Sequence, residues 1–173
     1  MPSIHAIRGQ QKGSVLIEVM VAALLFIVGL MGLVGVSGKS VVTQSDIQYR
    51  TEATKHASEM IDTMWLNVDR SSPAATSASL LTFQHLPGGA NCNFNGAVSA
   101  NAMVTTWVNK IRNGSITPPA VIADPATRLP GSSASMQQII FNAANNNEVT
   151  VRVCWRSGND EVARQHVMRA YIN

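Results

Sequence analysis

Apolar residues are packed densely near the start of the chain and thin out into a helical rhythm. From Val19 to Gly38 no residue carries a charge across 20 positions. As a helix rising 1.5 Å per residue, that run reaches about 30 Å, the thickness of a bilayer hydrocarbon core. Beyond Lys39, Val42, Ile47, Ala53, Ala57, Met60, Ile61, Met64 and Val68 recur at three- to four-residue spacing. Asp46, Arg50, Glu52, Lys55, Glu59 and Asp62 fill the other faces. The pattern predicts one helix from about Val15 to Val68, apolar all round in its first half and amphipathic in its second. Ser71–Ser79 ends it, with Pro73 as a breaker.

Leu80–Leu86 reads as a short strand or extended segment, Pro87-Gly88-Gly89 as a turn, and Cys92 falls in a loop. Ser99–Asn113 reads as a helix with Met103, Trp107, Val108 and Ile111 on one face and Gly114 as its stop. Ser115–Ser133 holds four prolines and reads as loop. The C-terminal third predicts an antiparallel meander, with strands at Met136–Asn142, Glu148–Arg156 and Val162–Ile172 and turns at Asn145–Asn147 and Ser157–Asp160. In the middle strand Val149, Val151, Val153 and Trp155 alternate with Thr150, Arg152 and Cys154. The Val/Trp face is expected to pack on the amphipathic helix, and Cys154 to face the other way. The fold class is α+β, a long N-terminal helix packed on a C-terminal antiparallel sheet.

Composition refines this picture in three places. The chain has 173 residues and a net charge of +3, of which Arg8 and Lys12 supply two, so the chain without residues 1–13 carries 3 − 2 = +1. So small an excess gives little counterion-release affinity, and no nucleic-acid partner is expected. The same two basic residues flank the apolar run and place the N-terminus in the cytoplasm and the remainder outside it. Cys92 and Cys154 form no C-x-x-C pair, and His5, His56, His85 and His166 complete no metal spacing, so no metal or cofactor is expected. An even cysteine count in an oxidising compartment predicts one disulfide, Cys92–Cys154. No G-x-S-x-G, P-loop or H-E-x-x-H motif is present, which argues against an enzyme.

Glu18 stands just inside the apolar run. A secretory signal peptide has an apolar core of about 7–15 residues and a small-residue cleavage site, which this longer run does not match. A plain signal anchor accounts for the length and the basic flank, but gives a carboxylate no purpose. A charge deep in a membrane helix costs about 2.5–3.5 kcal/mol, less near a helix end.

Lys12-Gly13-Ser14-Val15-Leu16-Ile17-Glu18-Val19 resembles the processing site of type IV prepilins and pseudopilins. The resemblance implies that a membrane aspartic peptidase cuts between Gly13 and Ser14 and methylates the new N-terminus at Ser14. Glycine permits the close backbone approach this needs. The family usually has phenylalanine where this chain has Ser14. Cleavage would leave an α-ammonium four residues from Glu18. In the family that glutamate is thought to neutralise the ammonium of a neighbouring subunit during assembly, and pairing within one chain is the alternative geometry. The domains implied are a leader (1–13), a transmembrane assembly helix (14–38), the amphipathic half of the helix (39–70) and a periplasmic globular domain (71–173). Glycines at 29, 32, 35 and 38 do not share one face, so they make no G-x-x-x-G seam.

Gly29-Leu30-Met31-Gly32-Leu33, the Leu129-Pro130-Gly131 turn before a strand, and the Val-rich strand ending in Trp155 are similar to the minor-pilin group that includes the type IV pilus modification protein PilV. This implies a type IV pilin fold and a minor subunit that starts or caps a pilus, with roles in adhesion or twitching. It implies as partners other minor pilins, the major pilin, prepilin peptidase, the inner-membrane assembly platform and a tip adhesin. The implied location is the inner membrane, then the pilus. A type II secretion pseudopilin shares the N-terminus, but its calcium loop would have to come from Gly158-Asn159-Asp160-Glu161, too few ligands for calcium. In that turn Asp160 and Glu161 are expected to be a solvated charge pair. A DNA-uptake pilin would need a basic patch, for which Arg152, Arg156, Arg164 and Arg169, expected on the solvent face of the sheet, are a thin candidate.

Overall fold

The structure is a computed structural model. It describes residues 14–114, 127–158 and 160–173, with side chains at 14 and 34–43 excepted. Residues 1–13, 115–126 and Asn159 lie outside the described residues, so the expectations of a leader ending at Gly13 and of a loop over 115–126 fall outside them.

Helix α1 spans Ser14–Asn67, within a residue of its expected limits. The chain divides into two bodies between Ser45 and Asp46. In the N-terminal body, α1 runs unbroken through the four glycines.

The C-terminal body holds the rest of α1 and an α+β arrangement. Helix α2 (Pro73–Phe83) follows, then a small hairpin of β1 (Gly88–Ala90) and β2 (Asn93–Asn95). Helix α3 (Ala102–Asn113) precedes an antiparallel sheet of β3 (Gln137–Asn142), β4 (Glu148–Trp155) and β5 (Arg164–Tyr171), in the order β3-β4-β5. One core joins Ala53, Ala57, Met60, Ile61, Met64 and Val68 of α1 to Val149, Val151, Val153 and Trp155 of β4. The helix thus packs on the face predicted from strand alternation. Fully burying each valine, isoleucine or methionine among them contributes about 1.5–3 kcal/mol.

Several local expectations are corrected. Pro73 does not break structure here. It occupies the first turn of α2, where its missing N–H is no loss. Ser72 caps that helix by accepting the Ala75 N–H at 3.1 Å. Leu80 and Phe83 are therefore buried helical residues. Of this segment His85 alone pairs like a strand residue, exchanging backbone hydrogen bonds of 2.9 and 3.0 Å with Ile139. Pro87-Gly88-Gly89 does not turn the chain, because Gly88 and Gly89 belong to β1. The turn is Asn91-Cys92, both at positive φ (52° and 61°), the signature of a type I′ hairpin. In α3, Met103 is 41% exposed and Val104 takes its place in the core. Ile47 is also exposed at 58%, because it lies off the α1 stripe that meets the core through Tyr49, Ala53 and Ala57. Gly131 follows Leu129 and Pro130 at φ 58°, where an added Cβ would lie 2.5 Å from the Arg156 carbonyl oxygen.

Candidate functional site

The start of α1 is the first candidate. Val15–Leu33 form 19 residues of mean hydropathy 2.6, none buried by the rest of the protein. The helix is long and apolar enough to cross a membrane. Ser14 is its first residue and Glu18 lies one turn on, with an exposed side chain among exposed Val15, Leu16, Ile17 and Val19. A carboxylate there favours the positive end of the helix dipole. Once its apolar surroundings are covered by lipid or protein, it needs a cationic or hydrogen-bonding partner.

The second candidate is the far face of the sheet. Cys92 and Cys154 are joined by a disulfide, with Cα atoms 5.8 Å apart. It ties the β1–β2 turn over β4, and Leu86 and Phe94 close with the cystine into a second small core, flanked by Met136 and Ala163. That cover is why β4 is buried on both faces and not on one alone. Two residues that the periodicity does not single out hold the arrangement. Gln138 is fully buried, donates to the carbonyls of Leu86 (2.7 Å) and Gly88 (3.1 Å), and accepts from Arg152. Gln137, also fully buried, donates to Ser132 Oγ (2.7 Å) and the Cys154 carbonyl (3.1 Å) and accepts the Cys154 N–H (3.3 Å). Paired glutamines opening a strand carry no periodic signal, since only the tertiary contacts make them internal.

The arginines expected on one solvent face do not share one. Register places Arg152 and Arg169 on the disulfide side of the sheet and Arg164 on the helix side, opposite Trp155. Arg164 donates to Asp160 at 2.9 and 2.7 Å and to Asp46. Arg169 meets Glu148 at 3.5 Å. The Arg164 pairings spend charge that a nucleic-acid surface would use, while Glu148 offsets Arg169 only in part, since Arg169 stays 64% exposed. Asp160 is correspondingly not a solvated acid. Its side chain is 14% exposed, and its hydrogen bond from Arg164 holds its pKa below the usual carboxylate range. No group of three metal-ligating side chains occurs among the described residues.

Two buried histidines have assigned contacts. His56 Nε2 lies 2.9 Å from the Thr127 carbonyl, and the backbone oxygen of His56 accepts Trp107 Nε1–H at 2.8 Å. His85 Nδ1 accepts the Ser99 N–H at 3.3 Å, which leaves its proton on Nε2. Burial pushes the His85 pKa below its ordinary 6.5, partly offset by the Ala134 carbonyl. A histidine held neutral by folding supplies stability that is present above pH 6.5 and lost as pH falls through its lowered folded value. The melting temperature is therefore expected to drop between pH 7 and 5. His85→Gln should flatten that slope, and circular dichroism melts at both pH values check it. An unchanged slope would remove His85 as the cause.

Compared with known proteins, the chain matches no family model, no curated protein and no solved structure, so residues and geometry alone carry its functional reading.

Proposed function

We propose that this chain is a minor subunit of a type IV pilus, made with a cleaved leader and held in the inner membrane until assembly. The observation that carries the reading is Glu18. It sits at the start of an otherwise uncharged, uncovered apolar helix, one turn after the residue that follows Gly13. A simple tether needs the apolar run and is weakened by the acid. An assembling subunit has a use for it, because the α-ammonium released at Ser14 would otherwise be buried unpaired. The α+β body with its long helix and stapled sheet is compatible with a type IV pilin fold. On this reading the helix from 14 packs among the helices of other minor pilins and the major pilin. Prepilin peptidase, the assembly platform and a tip adhesin would be its further partners.

Glu18→Ala is expected to be processed normally yet to enter pili poorly. Breaking a buried pair costs about 3–5 kcal/mol, and even 1.4 kcal/mol is about tenfold in an equilibrium. Quantifying the variant in sheared pili against the membrane fraction tests this, and wild-type incorporation would contradict the role. Deletion of the chain that abolishes protein secretion while leaving pili intact would assign it to a secretion pseudopilus instead.

A further inference from the structure

Among the described residues, the outer edge of β5 is long and paired with no other strand. His85 and Ile139 exchange backbone hydrogen bonds, so Ile139 turns its polar backbone groups away from β4. Its partner Val151 then turns toward β5, where it faces Met168. Alternation along an antiparallel ladder places the backbone N–H and C=O of Gln165, Val167, Arg169 and Tyr171 on the open side. The 3.3 Å bond from Ile172 N–H to the Asn147 carbonyl follows the same parity. The strand is eight residues long, contains no proline, and keeps continuous register from Trp155↔Arg164 to Glu148↔Tyr171. Among the described residues no strand pairs with this edge. Natural edges are normally shortened, bulged, covered or heavily charged, and β5 has only Arg169 in that role.

We propose that the β5 edge receives an extended segment of a different polypeptide, added antiparallel as a fourth strand. Its side chains would be acidic opposite Arg169 and apolar opposite Val167 and Tyr171. Charge selects the acid: the four outward residues include one cation and no anion, and Arg169 remains 64% exposed although its Nε lies 3.5 Å from Glu148. Apolar neighbours follow from Val167 at 39% and Tyr171 at 51% exposure. A second copy is the poorer occupant, because the outward residues of its own β5, Gln165, Val167, Arg169 and Tyr171, would bring no acid to face Arg169.

The test uses the full chain in nanodiscs and a capped synthetic peptide, Val-Thr-Glu-Thr-Ile-Thr-Gln, whose glutamate faces Arg169 in the antiparallel register. Amide-resolved hydrogen exchange is expected to slow about tenfold at Val167 and Arg169, while Met168, already bonded to β4, is unchanged. A peptide N-methylated on its pairing amides should give no protection, and one with lysine for glutamate should protect less. No slowing at Val167 and Arg169, or equal slowing with the N-methylated peptide, overturns the proposal. A dimer in sedimentation that disappears in Val167→Pro also overturns it, by naming a second copy as the occupant. None of these readouts depends on leader removal or pilus assembly, so the edge and the pilin reading can fail separately.

Discussion

A chain carrying Gly13→Leu is expected to remain uncut, keeping residues 1–13 and accumulating in the membrane. A peptidase cutting at this bond must bring its own backbone against the substrate at Gly13, and a branched side chain there occupies that space. Gly13→Ala adds one carbon and is expected to be tolerated. The consequence goes beyond mass. Without cleavage there is no α-ammonium at Ser14, and Glu18 then has nothing to neutralise. Gly13→Leu and Glu18→Ala should therefore share an assembly defect while differing in processing, and the double variant should be no worse than Gly13→Leu alone. Such non-additivity is expected of groups acting through one interaction. Intact-mass measurement of the membrane form with and without prepilin peptidase checks the first step. A wild-type chain still beginning at Met1 beside an active peptidase would return the protein to a plain membrane tether.

Loss of the disulfide should be the largest stability effect in the C-terminal body. Cys92 and Cys154 are 62 residues apart, and closing a loop of that length in the unfolded chain is worth about 4 kcal/mol in the chain-entropy model. The native state loses as well, because two three-residue strands have no independent stability. Cys92 is also a non-glycine residue at φ 61°, a conformation costing roughly 1–2 kcal/mol. The crosslink and the buried Phe94 beside it hold that turn. The Cys92→Ala/Cys154→Ala pair is expected to lower stability by about 4 kcal/mol. Cys92→Gly/Cys154→Ala should recover about 1 kcal/mol of this, since glycine accepts positive φ freely. Urea unfolding of the full chain in detergent measures both. A midpoint unmoved by either pair, or by reductant, would show that the staple contributes nothing.

The residues that local order dictates were legible. The long helix, α3, the three strands of the main sheet and the Cys92–Cys154 pairing follow from periodicity, caps and cysteine count, and the structure places each within a few residues. The elements missed are those whose local signals have two meanings. Proline after serine marks either a break or a first helical turn, and at Pro73 it is the latter. Met103 and Val104 are equally apolar neighbours, and packing chose Val104. Strand alternation implies one buried face for β4. The hairpin and the Gln138 side chain cover the other, a contact that only the fold brings together.

For the candidate site the division is similar. The apolar run and Glu18's place in it are properties of consecutive residues, and hydropathy reports them directly. Which arginines remain available is not such a property. Asp160 is four residues from Arg164, but Asp46 reaches it only because β5 lies beside α1, and the two acids together remove Arg164 from any shared basic patch. The sequence by itself determined the long helix, α3, the three strands of the main sheet and the membrane-length apolar run, because those depend on spacing within a few residues. Tertiary structure alone decided which side chains are inside, which charges are paired and which strand edge stays open. Those depend on surfaces that only folding brings together.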